Sequence, residues 1–443
     1  MARQSFRTIV LHACTVASTL ATIFVLAPAA HAAPGQVPPL GADFAWGVSA
    51  SGFQTEGDAP DSNWSRYASS GAVDDPYRNA VDFRHRYRDD IALAADLGVN
   101  TYRVGIEWAR VQPTPGEWDE QELAYYDDML GSIRAAGMRP MITLDHWVYP
   151  GWAADRGGWT NPAMVADWLA YARRVVDRYA HLDPVWVTVN EPTAYIANEI
   201  RHGALPPGDA PAMIDRLVAV HRDIYEHIHR VQPDAQVTSN VAYIPAAEPA
   251  LDSLFLNRVA DRLDFLGLDY YYGATAANPA GAIGALTGEM WTAPLQSEGI
   301  YYALRHYSRT YPHLPLYVVE TGMPTENGQP RPDGYTRSDA LADSVYWVQR
   351  AKQDGIDVVG YNYWSLTDNY EWGSYAPRFG LYTVDALGDP SLQRRATDAV
   401  ATYTDITQRG GVASDYLPTR PPAECSLVDV PASCTEPVTL PHP

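Results

Sequence analysis

The sequence predicts an α/β protein built as a single (β/α)8 TIM barrel, with long βα loops and an irregular, proline-rich C-terminal tail. Three observations lead there. Between Gly41 and Arg409, eight apolar runs alternate with eight helical patterns over about 370 residues, the order of a parallel barrel. The runs are continuously apolar and rich in β-branched residues, as strands buried on both faces must be. A doubly wound open sheet would place a glycine-rich phosphate loop after its first strand, and the stretch from Gly47 to Gly57 contains no GxGxxG.

Taken in order, the chain opens on a segment that does not belong to the fold. Arg3 and Arg7 precede an uncharged stretch from Thr8 to Leu26, followed by Pro28 and the small-residue site Ala30, His31, Ala32. This is the pattern of an export leader over residues 1–32, cleaved after about Ala32. The stretch is nearly long enough to span a membrane, but its threonines, His12 and the cleavage pattern favour removal.

The predicted strands run from Phe44 to Ala50, Thr101 to Trp108, Pro140 to Trp147, Val185 to Asn190, Gln236 to Ala242, Leu263 to Tyr271, Leu316 to Glu320 and Val358 to Trp364. Between them, patterns such as Val165, Trp168, Leu169, Ala172, Val176 and Tyr179 trace one apolar stripe at helical spacing. Asn161 before Pro162, and Thr336 three residues before Asp339, read as helix N-caps. Gly98, Gly137 and Gly355 stand where left-handed C-caps belong. These units give a catalytic barrel over residues 41–409. Residues 410–443 form a tail that carries Cys425 and Cys434, the two cysteines left after the leader. In an exported chain this close pair reads as one disulfide.

The strand ends carry the chemistry. Val185, Trp186, Val187 and Val189 stop abruptly at Asn190 and Glu191, and the run from Leu316 stops at Glu320. The C-terminal ends of barrel strands are where reactive groups collect. The other ends supply Gln54 and Glu56, Arg103 and Trp108, Asp145 with His146 and Trp147, Asp269 with Tyr270 and Tyr271, and Trp364 with Glu371 and Trp372. Taken singly, a strand-end tryptophan is more often core, His146 more often structural, and Glu56 a loop brace. Together, two glutamates facing each other across a mouth lined by aromatic faces and hydroxyl-binding groups suit glycosyl transfer.

These stretches resemble glycoside hydrolase family 1, the retaining β-glycosidases. The similarity runs from about Phe44 to Asp385 through FAWGVSASGFQTEG, TYRVGIEWARVQP, PMITLDHWVYP, VWVTVNEP, LDFLGLDYYYG, LPLYVVETG and YWSLTDNYEW with RFGLYTVD. The resemblance implies a β-glycosidase acting on small β-glycosides, β-glucosides first, without cofactor or metal, and the leader pattern makes it a secreted one. Glu191 matches the family's acid/base and Glu320 its nucleophile. Gln54, His146, Asn190, Trp364, Glu371 and Trp372 match positions that bind the glycone, while Arg103 and Tyr271 match groups that contact the nucleophile. It further implies a cis peptide between Trp364 and Ser365. Alternatives on the same scaffold are a β-galactosidase or β-fucosidase, a disaccharide-releasing glycosidase or a transglycosylase. A non-catalytic sugar-binding relative would be expected to have lost one of the two glutamates.

The departures from that pattern are specific. Where the family has TENG at the nucleophile, this chain has VETG; a literal TENG occurs at Thr325 to Gly328. Glu320 ends an apolar strand, whereas Glu326 follows Pro324 in a polar stretch, so Glu320 is the expected nucleophile and Glu326 a loop residue. Asp269 replaces a common asparagine and would add negative charge near the aglycone side. Asp145 replaces a common tyrosine, and the segment between Trp372 and Arg378 is short.

Composition excludes other classes. The formal charge of −21 becomes −23 once the leader takes Arg3 and Arg7 away, which disfavours nucleic acid and anionic membrane surfaces as partners. Structural zinc would need more ligands than two cysteines, and no HExxH run occurs.

Overall fold

The computed structural model describes residues 36–275 and 289–440. The leader segment lies outside the described residues. Nine strand segments form one parallel sheet: β1 (Ala45–Ser49), β2 (Thr101–Gly105), β3 (Arg139–Asp145), β4 (Val185–Val189), β5 (Gln236–Thr238), β6 (Val241–Ala242), β7 (Leu266–Asp269), β8 (Leu316–Glu320) and, after the short β9 (Thr325–Glu326), β10 (Val358–Trp364). Their spatial order is β5-β4-β3-β2-β1-β10-β8-β7-β6. Because β5 and β6 are consecutive pieces of one strand, the two ends of this order meet and the sheet closes into an eight-membered (β/α)8 ring.

The break in the fifth strand falls at Ser239 and Asn240, where an unbroken run from Gln236 to Ala242 was expected. The Ser239 hydroxyl donates to the Val189 carbonyl at 2.6 Å, and the Asn240 carbonyl accepts from the Glu191 amide at 3.1 Å. These bonds replace ladder pairing at the point where the strand meets the site. The second and third strands also end earlier than expected. After β2 the chain turns into the short helix Trp108–Val111, and β3 stops at Asp145.

Helices sheathe the ring. Met164–Tyr179 buries the expected stripe of Trp168, Leu169, Ala172, Val176 and Tyr179. Its start lies later than Asn161 suggests: Asn161 Oδ1 accepts from the Ala163 amide at 3.0 Å, one turn ahead of the first helical residue. Thr336 forms a capping box with Asp339, and Gly98, Gly137 and Gly355 adopt φ of +75°, +84° and +92°. Inside the ring, Met141, Val185, Val187, Phe265, Tyr317 and Val319 pack into a plug beneath the mouth. Gly360 is required there, since a Cβ would overlap the Tyr317 ring.

Past the last long helix, Asp398–Arg409, the tail stays in contact with the barrel. Val412, Val428 and Val438 belong to the main apolar core, and a disulfide joins Cys425 to Cys434. Asp429 pairs with Arg305 at 2.7 Å, and its backbone amide donates to the Tyr243 hydroxyl at 3.1 Å. The Leu427 amide donates to the Ala274 carbonyl at 2.8 Å. Tyr243 and Ala274 stand on the loops that follow the fifth and sixth barrel strands, so the tail braces one side of the mouth. Among the described residues no helix is long and apolar enough to cross a membrane.

Candidate active site

Glu320 is the last residue of β8, and Glu191 lies two residues past the end of β4. Glu191 takes a left-handed backbone, φ +40°, which swings the chain from strand into the helix Pro192–Arg201 and turns its side chain toward the ring. That conformation is unfavourable for a non-glycine residue, and here the Asn240 carbonyl holds it through the Glu191 amide. Carboxyl oxygens of Glu191, Asp269 and Glu320 lie within 4.8 Å of one another.

A buried guanidinium organises this floor. Arg103, on β2, donates from Nε to the Thr143 hydroxyl at 3.0 Å, from one terminal nitrogen to Glu320 and from the other to Asn190 Oδ1 at 2.6 Å. The Tyr271 hydroxyl donates to the second Glu320 oxygen at 2.9 Å. Asn190 Oδ1 also accepts from Asn240 Nδ2 at 2.7 Å. Its own Nδ2 faces His146 Nε2 at 3.3 Å. Burial of the Glu191 carboxyl, then the charge of Glu320, push its pKa up to about 8, against an opposing pull from Arg103. Burial and the nearby Arg103 charge hold the His146 imidazole neutral, well below its ordinary pKa.

The wall of the mouth is aromatic and amide-lined. Gln54 Nε2 donates to Asn369 Oδ1 at 3.1 Å and to a Glu371 carboxyl oxygen at 3.2 Å. Burial, followed by Glu320, raises the Glu371 pKa to about 8. The rings of Trp364 and Trp372 each lie 5.9 Å from the His146 ring at 26°, and Trp372 stacks on Trp147 at 4.7 Å. The peptide between Trp364 and Ser365 is cis, as the resemblance implied. Nδ1 of His146 is buried without a partner among the described residues. Gln54, His146, Asn190, Glu191, Tyr271, Glu320, Trp364, Glu371 and Trp372 thus line one cavity, with Arg103 directly beneath it.

Three strand-end residues go elsewhere. Trp108 is core, stacked on Tyr171 at 5.2 Å. Asp145 points behind the wall, accepting from the Trp147 amide and Trp168 Nε1, each at 2.9 Å. Glu56 is buried against Arg110 at 2.8 Å. Glu326 is exposed in β9, which pairs with β11 (Pro377–Arg378), and does not line the cavity. Asp269 differs from its expected place: it lies on the buried floor against both glutamates rather than on the aglycone side. Sequence reasoning missed Asn240 and Asn369, which orient the site side chains, and the outer wall of Tyr272, Ile244, Pro245 and Met290. The signal for Asn240 was present: two small polar residues interrupt an otherwise apolar strand.

Comparison with known proteins agrees with this geometry. The model of glycosyl hydrolase family 1 matches residues 38–254 and 236–412. A β-glucosidase A of Thermotoga maritima is 27% identical over 446 residues, covering 83% of this chain and 98% of that protein. A galactolipid galactosyltransferase of Arabidopsis thaliana is 29% identical over 364 residues, covering 73% of this chain, and the chain spans only 57% of its length. Among solved structures, a β-glycosidase, BGL167, superposes with a TM-score of 0.71 at 26% identity, covering 86% of this chain and all of the other. A Thermotoga maritima β-glucosidase in complex with deoxynojirimycin gives a TM-score of 0.71 at 24% identity over 85% of this chain and 100% of that one, a likeness of fold. With a family match across the whole barrel and paired glutamates at the ends of its fourth and seventh members, the chain belongs to glycosyl hydrolase family 1 and is a β-glycosidase.

Proposed function

We propose that the chain is an exported retaining β-glycosidase that hydrolyses unphosphorylated β-glycosides, β-glucosides foremost, by double displacement. The observation that carries this reading is the pair Glu191 and Glu320, with carboxyl oxygens within 4.8 Å. Retaining enzymes hold their carboxyls about 5 Å apart, whereas inverting ones leave a wider gap for water. Glu320 attacks the anomeric carbon while Glu191 protonates the departing oxygen. In the second half Glu191 takes a proton from water, whose oxygen displaces the glycosyl ester.

The electrostatics fit both halves. A Glu191 pKa near 8 keeps its proton available at neutral pH. Esterification of Glu320 removes the charge that is the second cause of that rise, so Glu191 becomes a stronger acid and rests as a base when water enters. Gln54, Asn190, Glu371 and the unpartnered nitrogen of His146 offer hydroxyl-binding groups, and Trp364 and Trp372 offer faces for a pyranose ring. Export is supported by the leader pattern and by the Cys425–Cys434 bond.

Azide separates the two glutamates. With Glu320→Ala, azide enters the vacated space and attacks an activated β-glycoside once, giving the α-glycosyl azide. With Glu191→Ala, glycosylation by a good leaving group precedes azide attack, and two inversions give the β-product. Exchange of the two products between the variants overturns the assignment. Transfer to a second sugar is the other reading. The apolar outer wall of Tyr272, Ile244, Pro245 and Met290 favours it as an acceptor platform, and product analysis at high acceptor concentration tests it.

A further inference from the structure

Double displacement uses two carboxyls, yet the floor of this site holds a third. Asp269 is the last residue of β7 and only 1% exposed. Its Oδ2 accepts from Asn240 Nδ2, while its Oδ1 is buried and meets no hydrogen-bond donor among the described residues. A carboxyl oxygen of Asp269 lies within 4.8 Å of one of Glu191 and of one of Glu320. Buried carboxylates this close repel one another and can only accept hydrogen bonds, so a proton on Asp269 both removes a charge and gives its partnerless Oδ1 a hydrogen to direct at Glu191.

Among the described residues no cation is hydrogen-bonded to Asp269, and Arg201 stands on the lining of the same cavity. The guanidinium of Arg103 is committed to Glu320, Asn190 and Thr143. The other groups facing this corner are the Asn190 and Asn240 amides, the Tyr271 hydroxyl on Glu320, the neutral His146 ring and, further out, Glu371. From the loop after β6, Tyr243 contributes a backbone amide to the Asp269 carbonyl at 2.9 Å.

We propose that Asp269 is a positioning residue that carries a proton in the resting enzyme and presents it to Glu191, so that the acid/base works as one member of a proton-sharing carboxyl pair. The idea rests on Glu191 being the acid/base. When Glu191 gives its proton to the glycosidic oxygen, the C1–O electron pair leaves with the aglycone alcohol and Glu320 closes the ester. The new Glu191 carboxylate then accepts the Asp269 O–H. In the return step water loses its proton to Glu191, its oxygen bonds to C1, and the ester electron pair returns to Glu320. Asp269 holds its proton throughout. Burial and the charges of Glu320 and Glu191 raise its pKa well above the carboxylate range, in keeping with that state.

The test is the alkaline limb of kcat/KM in the unmutated enzyme and in Asp269→Asn, which keeps the shape and an N–H donor but cannot ionise. In the unmutated enzyme the first proton lost from the pair leaves a second that still resides partly on Glu191. The limb should therefore be shallow and spread over two ionisations. Asp269→Asn should show one ionisation with a full-slope limb. Infrared difference spectra provide a readout independent of turnover: at neutral pH, Glu191→Gln minus Glu191→Gln/Asp269→Asn should show one protonated-carboxyl band. Limbs of identical shape and position, or spectra that do not differ, overturn the proposal. If Glu191→Gln still hydrolyses alkyl glycosides at the unmutated rate, it is the acid/base assignment that fails instead.

Discussion

Arg103 and Glu320 stand on strands separated by β1 and β10, yet their side chains meet beneath the mouth, with the Tyr271 hydroxyl on the second carboxylate oxygen at 2.9 Å. Both residues are almost fully buried. Removing the cation alone leaves an uncompensated carboxylate in a dry site, which costs about 3 to 5 kcal/mol. Arg103→Met should therefore lower both the denaturation midpoint and kcat/KM, the latter by about a hundredfold or more. Arg103→Lys keeps the charge but cannot span Glu320, Asn190 and Thr143 together, and should fall between. Chemical denaturation and kinetics on an aryl β-glycoside check both.

The pH dependence follows from Glu191. In the proposed double displacement its proton is needed for leaving-group departure, and burial with the Glu320 charge pushes its pKa up to about 8. Activity on substrates with poor leaving groups should begin to fall as pH rises through about 8. Aryl glycosides with very acidic phenols, which need no proton, should lose far less over the same range. A rate profile that falls equally for both substrate classes would assign that limb to another group.

Stability should move the opposite way from that of an enzyme held by surface ion pairs. Burial is the first cause that raises Asp145 and Glu199 to about 7, Asp252 to about 6, and Glu191 and Glu371 to about 8. Each binds its proton more tightly folded than unfolded, so stability is fullest below the unfolded value near 4 and is lost as pH climbs to the folded value. Arg-paired carboxylates such as Asp127 and Asp333 are lowered instead and oppose this only at more acidic pH. Thermal midpoints should be higher at about pH 5 than at about pH 8. A midpoint that rises across that interval contradicts the ionisation states of the buried acids.

Glu371 should decide between plain and phosphorylated sugars. In the proposed site Glu371 binds sugar hydroxyls, and a poorly matched buried hydrogen-bond partner costs about 1 to 3 kcal/mol, so Glu371→Gln should cost roughly ten- to a hundredfold in kcat/KM on a β-glucoside. A 6-phospho-β-glucoside should be turned over more slowly than the plain glucoside by the unmutated enzyme. Glu326→Gln, altering an exposed residue of β9, should leave activity nearly unchanged and serves as the control for the misplaced TENG.

Much of the fold was legible because a barrel strand announces itself twice, as a continuous apolar run and as a polar stop at its end. Leu316–Glu320 and Val358–Trp364 coincide with their expected bounds for that reason. Where the stop is gradual, the ends were overextended. Trp108 and Trp147 are as apolar as strand residues, but Trp108 opens a short helix and Trp147 lies in the bend after β3, and only tertiary contacts decide that. The residues of the site were readable as types at strand ends, whereas their directions were not. Asp145 and Asp269 occupy equivalent places on β3 and β7, yet one is tied behind the wall by Trp168 and the other is drawn onto the floor by Asn240. That choice is made by partners distant in sequence.

The disulfide closes a short loop, for which chain entropy predicts about 2 to 3 kcal/mol. Cys425→Ser should lower the thermal midpoint by several degrees and leave the glycone preference intact. Equal midpoints with and without reductant would show that the tail is held by its packing and by Asp429 alone.

The contacts of Leu427 and Asp429 with Ala274, Tyr243 and Arg305 bear on where this protein can be cut. The family match stops at residue 412, and an engineer trimming the chain to that boundary would keep every strand and every acid of the site. Such a minimal version would still strip the cover from Val428's neighbours and leave the Arg305 cation facing solvent beside an unsupported loop. Surface display or fusion through the C-terminus should therefore be appended beyond Leu440, with the last thirty or so residues treated as part of the scaffold rather than as a dispensable linker.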